Sequence, residues 1–320
     1  MYAFLVLIRF PNLLMIAFTQ CVMRYAVILP LVRLYGVEFQ LSDFTFFCVV
    51  FSTICTAAAG YVINDYFDVK TDNINRPAKV VVGRTIARRK AMKTHIILCT
   101  TGVLLGGYVT WKAGIPELAL VYIVVAGMLW LYSSVYKRQF LIGNIIISLF
   151  FALVPMLALL DIPPIYKVYG NFLLEKGVNL DLALYWIMGV AVFAFLITMS
   201  NMIIRDAGDF EGDAAYGCRS LPIVMGDRWT KWTIVGIIAT IIVLLCLIFY
   251  IFLRQFSGAF SFFYLLLLLV LPLIFICRKV LKATTCNDYR RAGNQMKWVM
   301  VAGIAYSGIL FFDCIKILTP

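Results

Sequence analysis

Two short stretches of the sequence carry acidic residues at one spacing. NDYFDVKTD at positions 64–72 and RDAGDFEGD at positions 205–213 both contain D-x-x-D-x-x-x-D, in a chain with 16 acidic residues. On an α-helix, offsets of three and seven residues correspond to rotations of about 300° and about 700°, so the three carboxylates share an arc of about 60°. Each stretch therefore predicts an acidic stripe on one helix face. The stripes consist of Asp65, Asp68 and Asp72 in the first motif and of Asp206, Asp209 and Asp213 in the second.

Three carboxylates on one helix face repel each other unless a cation lies among them. Mg²⁺ is the cation that we expect, because hard carboxylate oxygens suit it and it commonly joins proteins to phosphate groups. One acidic stretch alone would be equally typical of a solvated helix end. Two stretches with identical spacing favour a joint metal site.

Basic residues close to both acidic motifs indicate a ligand that contains phosphate. Metal ions together with Arg and Lys side chains neutralise polyphosphate charge in proteins. A further basic run at positions 88–93 is better explained by membrane topology. The candidate phosphate-binding residues are Lys70, Arg76, Lys79, Arg84, Arg205, Arg219 and Arg228.

The composition indicates that membrane-spanning helices position these motifs. Hydrophobic residues make up 63% of the chain and charged residues 14%, and the mean hydropathy is +0.95. A spanning helix needs about 20 mostly apolar residues. The sequence predicts an all-α membrane bundle of nine spans that forms one domain over residues 1–320, with an external loop at 161–181. The predicted spans are residues 3–33, 43–64, 94–111, 117–136, 140–160, 182–204, 232–253, 259–277 and 297–316.

The distribution of Lys and Arg predicts the orientation, because these residues accumulate in cytoplasmic loops. With the N-terminus inside, 21 of the 28 basic residues lie in inner segments and six in outer segments. Both acidic motifs then lie at the cytoplasmic ends of helices, after the second and the sixth span. The net charge of +12 is explained by inner loops that face anionic lipid, without a nucleic-acid partner.

Two isolated basic residues lie in or beside predicted spans. Arg24 is deep in the first span, where it either contacts an anionic substrate or pairs with a neighbouring helix. His95 is the single histidine and begins the third span, where we expect an interface residue and not a catalytic base.

The first acidic motif and its flank, NDYFDVKTDNINRP, resemble the signature N-D-x-x-D-x-x-x-D-x-x-N-R-P of the UbiA superfamily of intramembrane prenyltransferases. RDAGDFEGD resembles the second aspartate-rich motif of that superfamily. Further similarity lies in RFPN at 9–12, YSSVYKR at 132–138, LIGN at 141–144 and GCRSLPI at 217–223. The resemblance covers essentially the whole chain.

The resemblance implies a bundle around a central cavity, in which two Mg²⁺ ions join aspartates to an isoprenyl diphosphate. Ionisation of the allylic C1–O bond would give a carbocation, which a lipophilic acceptor attacks in a cavity closed to water. The catalytic, metal-binding aspartates would be Asp65, Asp68, Asp72, Asp209 and Asp213, with Asp206 as a further metal ligand. The substrate-binding residues would be Asn12, Asn64, Arg76, Lys79, Lys137, Asn144, Arg205 and Arg219.

Within the superfamily, the chain is most similar to the digeranylgeranylglyceryl phosphate synthase branch, whose acceptor is a prenylglycerol phosphate. One departure is NRPAKVVVG at 75–83, where many relatives have N-R-P-x-R-P-x-x-x-G. Lys79 keeps the charge and Gly83 the glycine, but Val80 replaces the proline. Quinone-precursor and tetrapyrrole acceptors stay open. A cation transporter is the alternative from another class, although transport sites usually lie near the bilayer midplane and not at helix ends.

Overall fold

The computed structural model describes residues 2–178, 180–253 and 259–318. These residues are almost entirely helical, and no strand is present among them. The helices are α1 (Tyr2–Leu7), α2 (Phe10–Leu34), α3 (Asp43–Asn75), α4 (Arg88–Lys112), α5 (Pro116–Ser134), α6 (Ile142–Glu175), α7 (Asp181–Gly208), α8 (Phe210–Ala215), α9 (Leu221–Ile251), α10 (Ala259–Lys282) and α11 (Cys286–Leu318).

The predicted all-α membrane bundle is confirmed in its essentials. Eight helices in the described part of the chain, α2 to α7 with α9 and α10, are long and apolar enough to cross a membrane. The ninth predicted span, 297–316, lies within α11, and the end of that span falls outside the residues whose side chains are described. One prediction was wrong, since the expected external loop at 161–181 is mostly helix. A 3-10 turn at Leu157–Asp161 interrupts α6, and two prolines lie in the first turn of the α-helical segment Ile162–Glu175 that follows. They allow helix there because the first turn needs no backbone N–H.

The first predicted span, 3–33, is not one continuous helix. Arg9 adopts a left-handed backbone conformation with φ 50° and ψ 52°, and α2 begins directly after it with Pro11 in its first turn. Proline has no N–H to continue a helix that started earlier, so the chain breaks before it. The break directs the Arg9 side chain towards α3, where its Nη2 donates to Asp65 Oδ1 at 3.0 Å.

Small residues allow α3, α4 and α5 to pack closely on one side of the bundle. A Cβ atom added at Gly102 would lie 2.3 Å from Thr56 Oγ1, and one at Gly106 would lie 2.4 Å from the ring of Tyr122. Close approach of small residues is a common basis of helix association in membranes. On the other side, α7, α9, α10 and α11 enclose an apolar cluster that includes Ile203.

The structure decides the role of Arg24, which is fully buried in a π-helical turn of α2. Its guanidinium contacts Asp161 Oδ2 at 3.1 Å and Asp43 Oδ1 at 3.2 Å, and donates to the Leu41 carbonyl at 2.7 Å. Arg24 is also absent from the lining of the large cavity described below. It therefore joins α2 to α3 and α6, which is the helix-pairing alternative.

Candidate active site

A cavity of about 1070 Å³ opens between α2, α3, α5, α6, α7 and α11. This volume is at the upper limit of ordinary small-molecule pockets, so the cavity can hold a long-chain substrate. Apolar and aromatic side chains line much of it, among them Val125, Leu129, Phe150 and Phe151. Both acidic motifs face the cavity, since its lining includes Asp65, Asp68, Asp72, Asp206, Asp209 and Asp213.

The first motif lies on the last turns of α3, as the spacing predicts. Asp65 pairs with Arg9, and the buried Asp68 pairs with Lys137. Asn64 Nδ2 donates to Asp68 Oδ2 at 2.7 Å, one helical turn away. Asp65 and Asp68 are thus fixed by basic and amide side chains from α3 itself and from neighbouring segments.

The second motif does not lie on one helix, which corrects the prediction of a single helical stripe. α7 ends at Gly208, Asp209 takes non-helical angles of φ −109° and ψ 14°, and the short α8 follows. The cause is packing against α3, since the Gly212 N–H donates to Asn75 Oδ1 at 2.8 Å and a side chain at Gly212 would collide with Asn75. Both motifs are therefore held together at one end of the bundle.

Asp209 is the centre of a cationic cluster. Arg76 binds it with Nη2 at 2.7 Å from Oδ1 and 2.6 Å from Oδ2, and with Nε at 3.1 Å from Oδ1. Arg290 of α11 approaches the same carboxylate at 3.5 Å. Such fork-shaped charge-assisted bonds are among the strongest in proteins. Arg76 thereby connects the segment after the first motif directly to the second.

Lys137 is positioned by the turn between α5 and α6. Leu141 has a positive φ of 57°, and a Cβ at Gly143 would lie 3.0 Å from Lys137 Cα, so the turn closes tightly over the lysine. Burial disfavours a charged Lys137, but the Asp68 carboxylate outweighs burial and raises the pKa of the lysine above its ordinary value.

Near the second motif, burial raises the pKa of Asp213 to about 7.

The donor set at this end of the cavity fits Mg²⁺ that is shared with a phosphate ligand. Within the described residues, no three His, Cys, Asp or Glu side chains are close enough to hold an ion by themselves. Mg²⁺ commonly uses only one or two carboxylates and completes its shell with water and substrate phosphates. Six carboxylates that face one cavity satisfy that requirement.

Most of the predicted substrate-binding residues line the cavity, namely Asn12, Asn64, Arg76, Lys79, Lys137 and Arg205. Asn144 lies behind the wall, where its Nδ2 donates to Asp206 Oδ2 at 2.8 Å and orients that carboxylate. Arg219 is exposed outside the cavity, and its backbone N–H donates to the Arg138 carbonyl. Arg219 therefore does not line the cavity, because the segment after α8 turns away from it.

The sequence predictions missed the contribution of α11. Arg290, Gly293, Asn294 and Lys297 all line the cavity. Their spacing of three, four and seven residues places them on one helix face. This polar stripe is the sequence pattern that could have predicted their place in the cavity. His95 is buried, and its Nδ1 lies 2.9 Å from the Ala59 carbonyl. It has no place in the cavity lining.

A model of the UbiA prenyltransferase family matches residues 28–301, which is most of the chain. The chain belongs to the UbiA prenyltransferase family. This membership confirms the resemblance that the aspartate-rich motifs indicate.

Two relatives of this UbiA family member carry the same name. The digeranylgeranylglyceryl phosphate synthase of Methanosphaera stadtmanae is 27% identical over 268 residues, which cover 82% of this chain and 86% of that protein. The digeranylgeranylglyceryl phosphate synthase of Pyrococcus horikoshii is 32% identical over 185 residues, which cover 58% of this chain and 56% of that protein. The second match therefore spans little more than half of the relative's length.

Solved structures of UbiA proteins share the fold. A digeranylgeranylglyceryl phosphate synthase structure is 21% identical, with a TM-score of 0.59 and 98% of both chains covered. A UbiA homologue from Archaeoglobus fulgidus bound to GPP and Mg²⁺ is 14% identical, with a TM-score of 0.57 and coverage of 97% of this chain and 99% of that chain. At these identities, the similarity establishes the fold.

Proposed function

We propose that this UbiA family member is a membrane-embedded prenyltransferase, which moves an isoprenyl group from an isoprenyl diphosphate to a lipophilic acceptor. The observation that carries the proposal is the division of one cavity into two chemical regions. Carboxylates and basic groups meet at one end, and the remaining wall is largely apolar. A diphosphate with an isoprenoid tail needs both regions at once.

The acceptor that we favour is geranylgeranylglyceryl phosphate. Both relatives described above are named digeranylgeranylglyceryl phosphate synthases, and one of them matches along 82% of this chain. Aromatic quinone precursors and tetrapyrroles are the competing acceptors. The cation-transport alternative is less well supported, because Asp65, Asp68 and Asp209 already pair with Arg and Lys side chains.

We propose that two Mg²⁺ ions join the donor to the protein, one at each acidic motif. The A. fulgidus homologue is bound to GPP and Mg²⁺, and the carboxylates of this chain fit that ion. Bound Mg²⁺ would neutralise the negative charge of the leaving diphosphate. Its protein ligands would be one or two carboxylates from each motif, drawn from Asp65, Asp68 and Asp72 at one site and from Asp206, Asp209 and Asp213 at the other.

The protein's own groups bind and orient the reactants. Arg76 and Lys79 bind diphosphate oxygens, while Asn64 and Lys137 hold Asp68 in place. The C1–O bond to diphosphate breaks with its electron pair on oxygen, and the acceptor hydroxyl forms a new C–O bond to C1 and passes its proton to the departing diphosphate. The apolar wall excludes water, which would otherwise capture the allylic cation. Catalysis is therefore positioning and electrostatic stabilisation without a protein nucleophile.

The placement in the membrane is also part of the proposal. We infer that the bundle lies in the lipid bilayer as one domain, with the N-terminus and both acidic motifs on the cytoplasmic side. Labelling of single introduced cysteines in sealed vesicles tests the sidedness. Protection of a cysteine at exposed Arg89 from an external reagent in right-side-out vesicles is the expected result.

The activity is tested with purified protein, Mg²⁺, labelled isoprenyl diphosphates and a panel of acceptors, followed by lipid extraction. We expect a prenylated product from geranylgeranylglyceryl phosphate and a loss of at least about 100-fold in the Asp68→Asn and Asp209→Asn variants. The matched control is Glu175→Gln, an exposed acid outside the cavity lining. Absence of turnover with every donor, or full activity after both substitutions together, would refute the enzyme.

A further inference from the structure

Two facing polar stripes, on α7 and α11, are not used by the donor chemistry. Asn201 and Arg205 lie four residues apart on α7, and Asn294 and Lys297 lie three residues apart on α11. All four line the cavity. The stripes therefore form a wall that differs in composition from the apolar remainder of the cavity.

Close packing of the two helices brings the stripes together. A Cβ atom at Gly293 would lie 3.3 Å from Asn201 Oδ1 and 3.4 Å from Ile204 Cγ2, and one at Gly208 would lie 3.0 Å from Arg290 Cγ. The same Cβ atom at Gly293 would lie 3.9 Å from Arg205 Cγ, and Lys297 lies one helical turn after Gly293 on α11. The two cations therefore share one region of the cavity.

Charge balance distinguishes this region from the aspartate region. Arg9, Arg76, Lys137 and Arg290 each have an aspartate partner. In the described part of the chain, neither Arg205 nor Lys297 forms an ion pair or a hydrogen bond. Two cations that share one region of a cavity without a carboxylate partner repel each other, so an anion is expected beside them.

We propose that Arg205 and Lys297, with Asn201, bind the phosphate monoester of a phosphorylated lipid acceptor. This inference rests on the proposed function and names the acceptor's head group as the feature that the site recognises. Two cations match a phosphate dianion, and the side-chain N–H of Asn201 donates a hydrogen bond to one of its oxygens. The donor diphosphate keeps the aspartates and Arg76, and the head group of the second substrate lies on the wall between α7 and α11.

The test compares geranylgeranylglyceryl phosphate with the same lipid lacking its phosphate, in Arg205→Gln, Lys297→Gln and the double variant. We expect the KM for the phosphorylated acceptor to rise about tenfold to hundredfold in each single variant, as loss of a charge-assisted hydrogen bond predicts. The KM for the donor should stay within about twofold of wild type. With the dephosphorylated acceptor, wild type and variants should have similarly high KM values, because the phosphate that the two cations bind is absent.

Two control variants accompany the test. Arg291→Gln removes an exposed charge from the same helix outside the cavity lining and should leave both KM values unchanged. Arg76→Gln should raise the KM for the donor and not that for the acceptor. An unchanged donor KM in the Arg205 and Lys297 variants also shows that they are folded.

Three results would overturn the proposal. A rise in donor KM alone would assign both cations to the diphosphate, and equal losses with both acceptors would assign them a structural role. The third result concerns equilibrium binding of labelled acceptor to the wild-type protein. If the phosphorylated lipid binds no more tightly than the same lipid without its phosphate, the proposal is wrong. This binding measurement does not depend on turnover. A protein that is inactive but still binds the phosphorylated lipid through Arg205 would refute the proposed reaction, but it would leave the phosphate site in place.

Discussion

Replacement of Arg24 by methionine is expected to destabilise the protein by about 3–5 kcal/mol, the usual cost of removing one partner of a buried ion pair. The structure locates the cost in Asp161, whose side chain is 2% exposed and would lose its guanidinium partner. The Leu41 carbonyl would lose its 2.7 Å hydrogen bond as well. Asp43, by contrast, has a side chain that is 82% exposed and can be solvated without Arg24.

The free energy of unfolding is measured by SDS titration of the protein in micelles, with helix content as the signal. Asp161→Asn should cost several kcal/mol, whereas Asp43→Asn should cost about 0–1 kcal/mol, as for an exposed ion pair. The combined Arg24→Met and Asp161→Leu variant should recover much of the loss, because no buried charge remains unpaired. Arg33→Met removes an exposed charge from the end of α2 and serves as the control.

The reasoning would be refuted if Asp161→Asn were no more destabilising than Asp43→Asn. Equal stability of Arg24→Met and Arg33→Met would refute it too, because burial is the property that separates the two arginines.

Three further predictions concern the cavity. Arg76→Gln removes the fork on Asp209 and should raise the donor KM about tenfold in steady-state assays, with Arg76→Lys intermediate because lysine keeps the charge but not the fork. Since the pKa of Asp213 is raised to about 7 and Mg²⁺ binds the deprotonated carboxylate, protons compete with Mg²⁺ below that pH. The Mg²⁺ concentration for half-maximal activity should therefore fall about fivefold from pH 6 to pH 7 and about tenfold from pH 6 to pH 8, and level off above pH 8. Gly106→Ala should lower the free energy of unfolding by about 1–3 kcal/mol, because the new methyl group meets the Tyr122 ring, whereas Gly107→Ala should not.

Each of these predictions has a contradicting outcome. A normal donor KM in Arg76→Gln would mean that the arginine only supports Asp209. A half-maximal Mg²⁺ concentration that does not change between pH 6 and pH 8 would show that Asp213 is not a ligand or is already ionised at pH 6. Equal stability of Gly106→Ala and Gly107→Ala would show that the contact between α4 and α5 relaxes without cost.

The helical class and the acidic site could be predicted because they depend on local pattern. Long apolar runs must become helices in lipid, since no water is available for unpaired backbone groups. The spacing of Asp65, Asp68 and Asp72 fixes their common face wherever α3 is placed. The identical spacing of the two motifs, and their predicted location on the same face of the membrane, predicted that they form one site.

Several features could not be predicted because they depend on contacts between distant segments. The helix break at Asp209 follows from the packing of Gly212 on Asn75, and the exposure of Arg219 follows from the turn after α8. The pairing of Arg24 with Asp161 joins residues 137 positions apart, a separation that no local pattern reveals.

The sequence by itself determined that this chain is a helical membrane protein with a divided aspartate site, because hydropathy and helical spacing are properties of neighbouring residues. Tertiary structure alone decided which cations face that site and which of them lack a carboxylate partner. Arg290 and Lys297 resemble other basic residues of α11 in the sequence, but the rotation of that helix against α7 directs them into the cavity. That rotation is set by glycine contacts across the bundle, at Gly208 and Gly293.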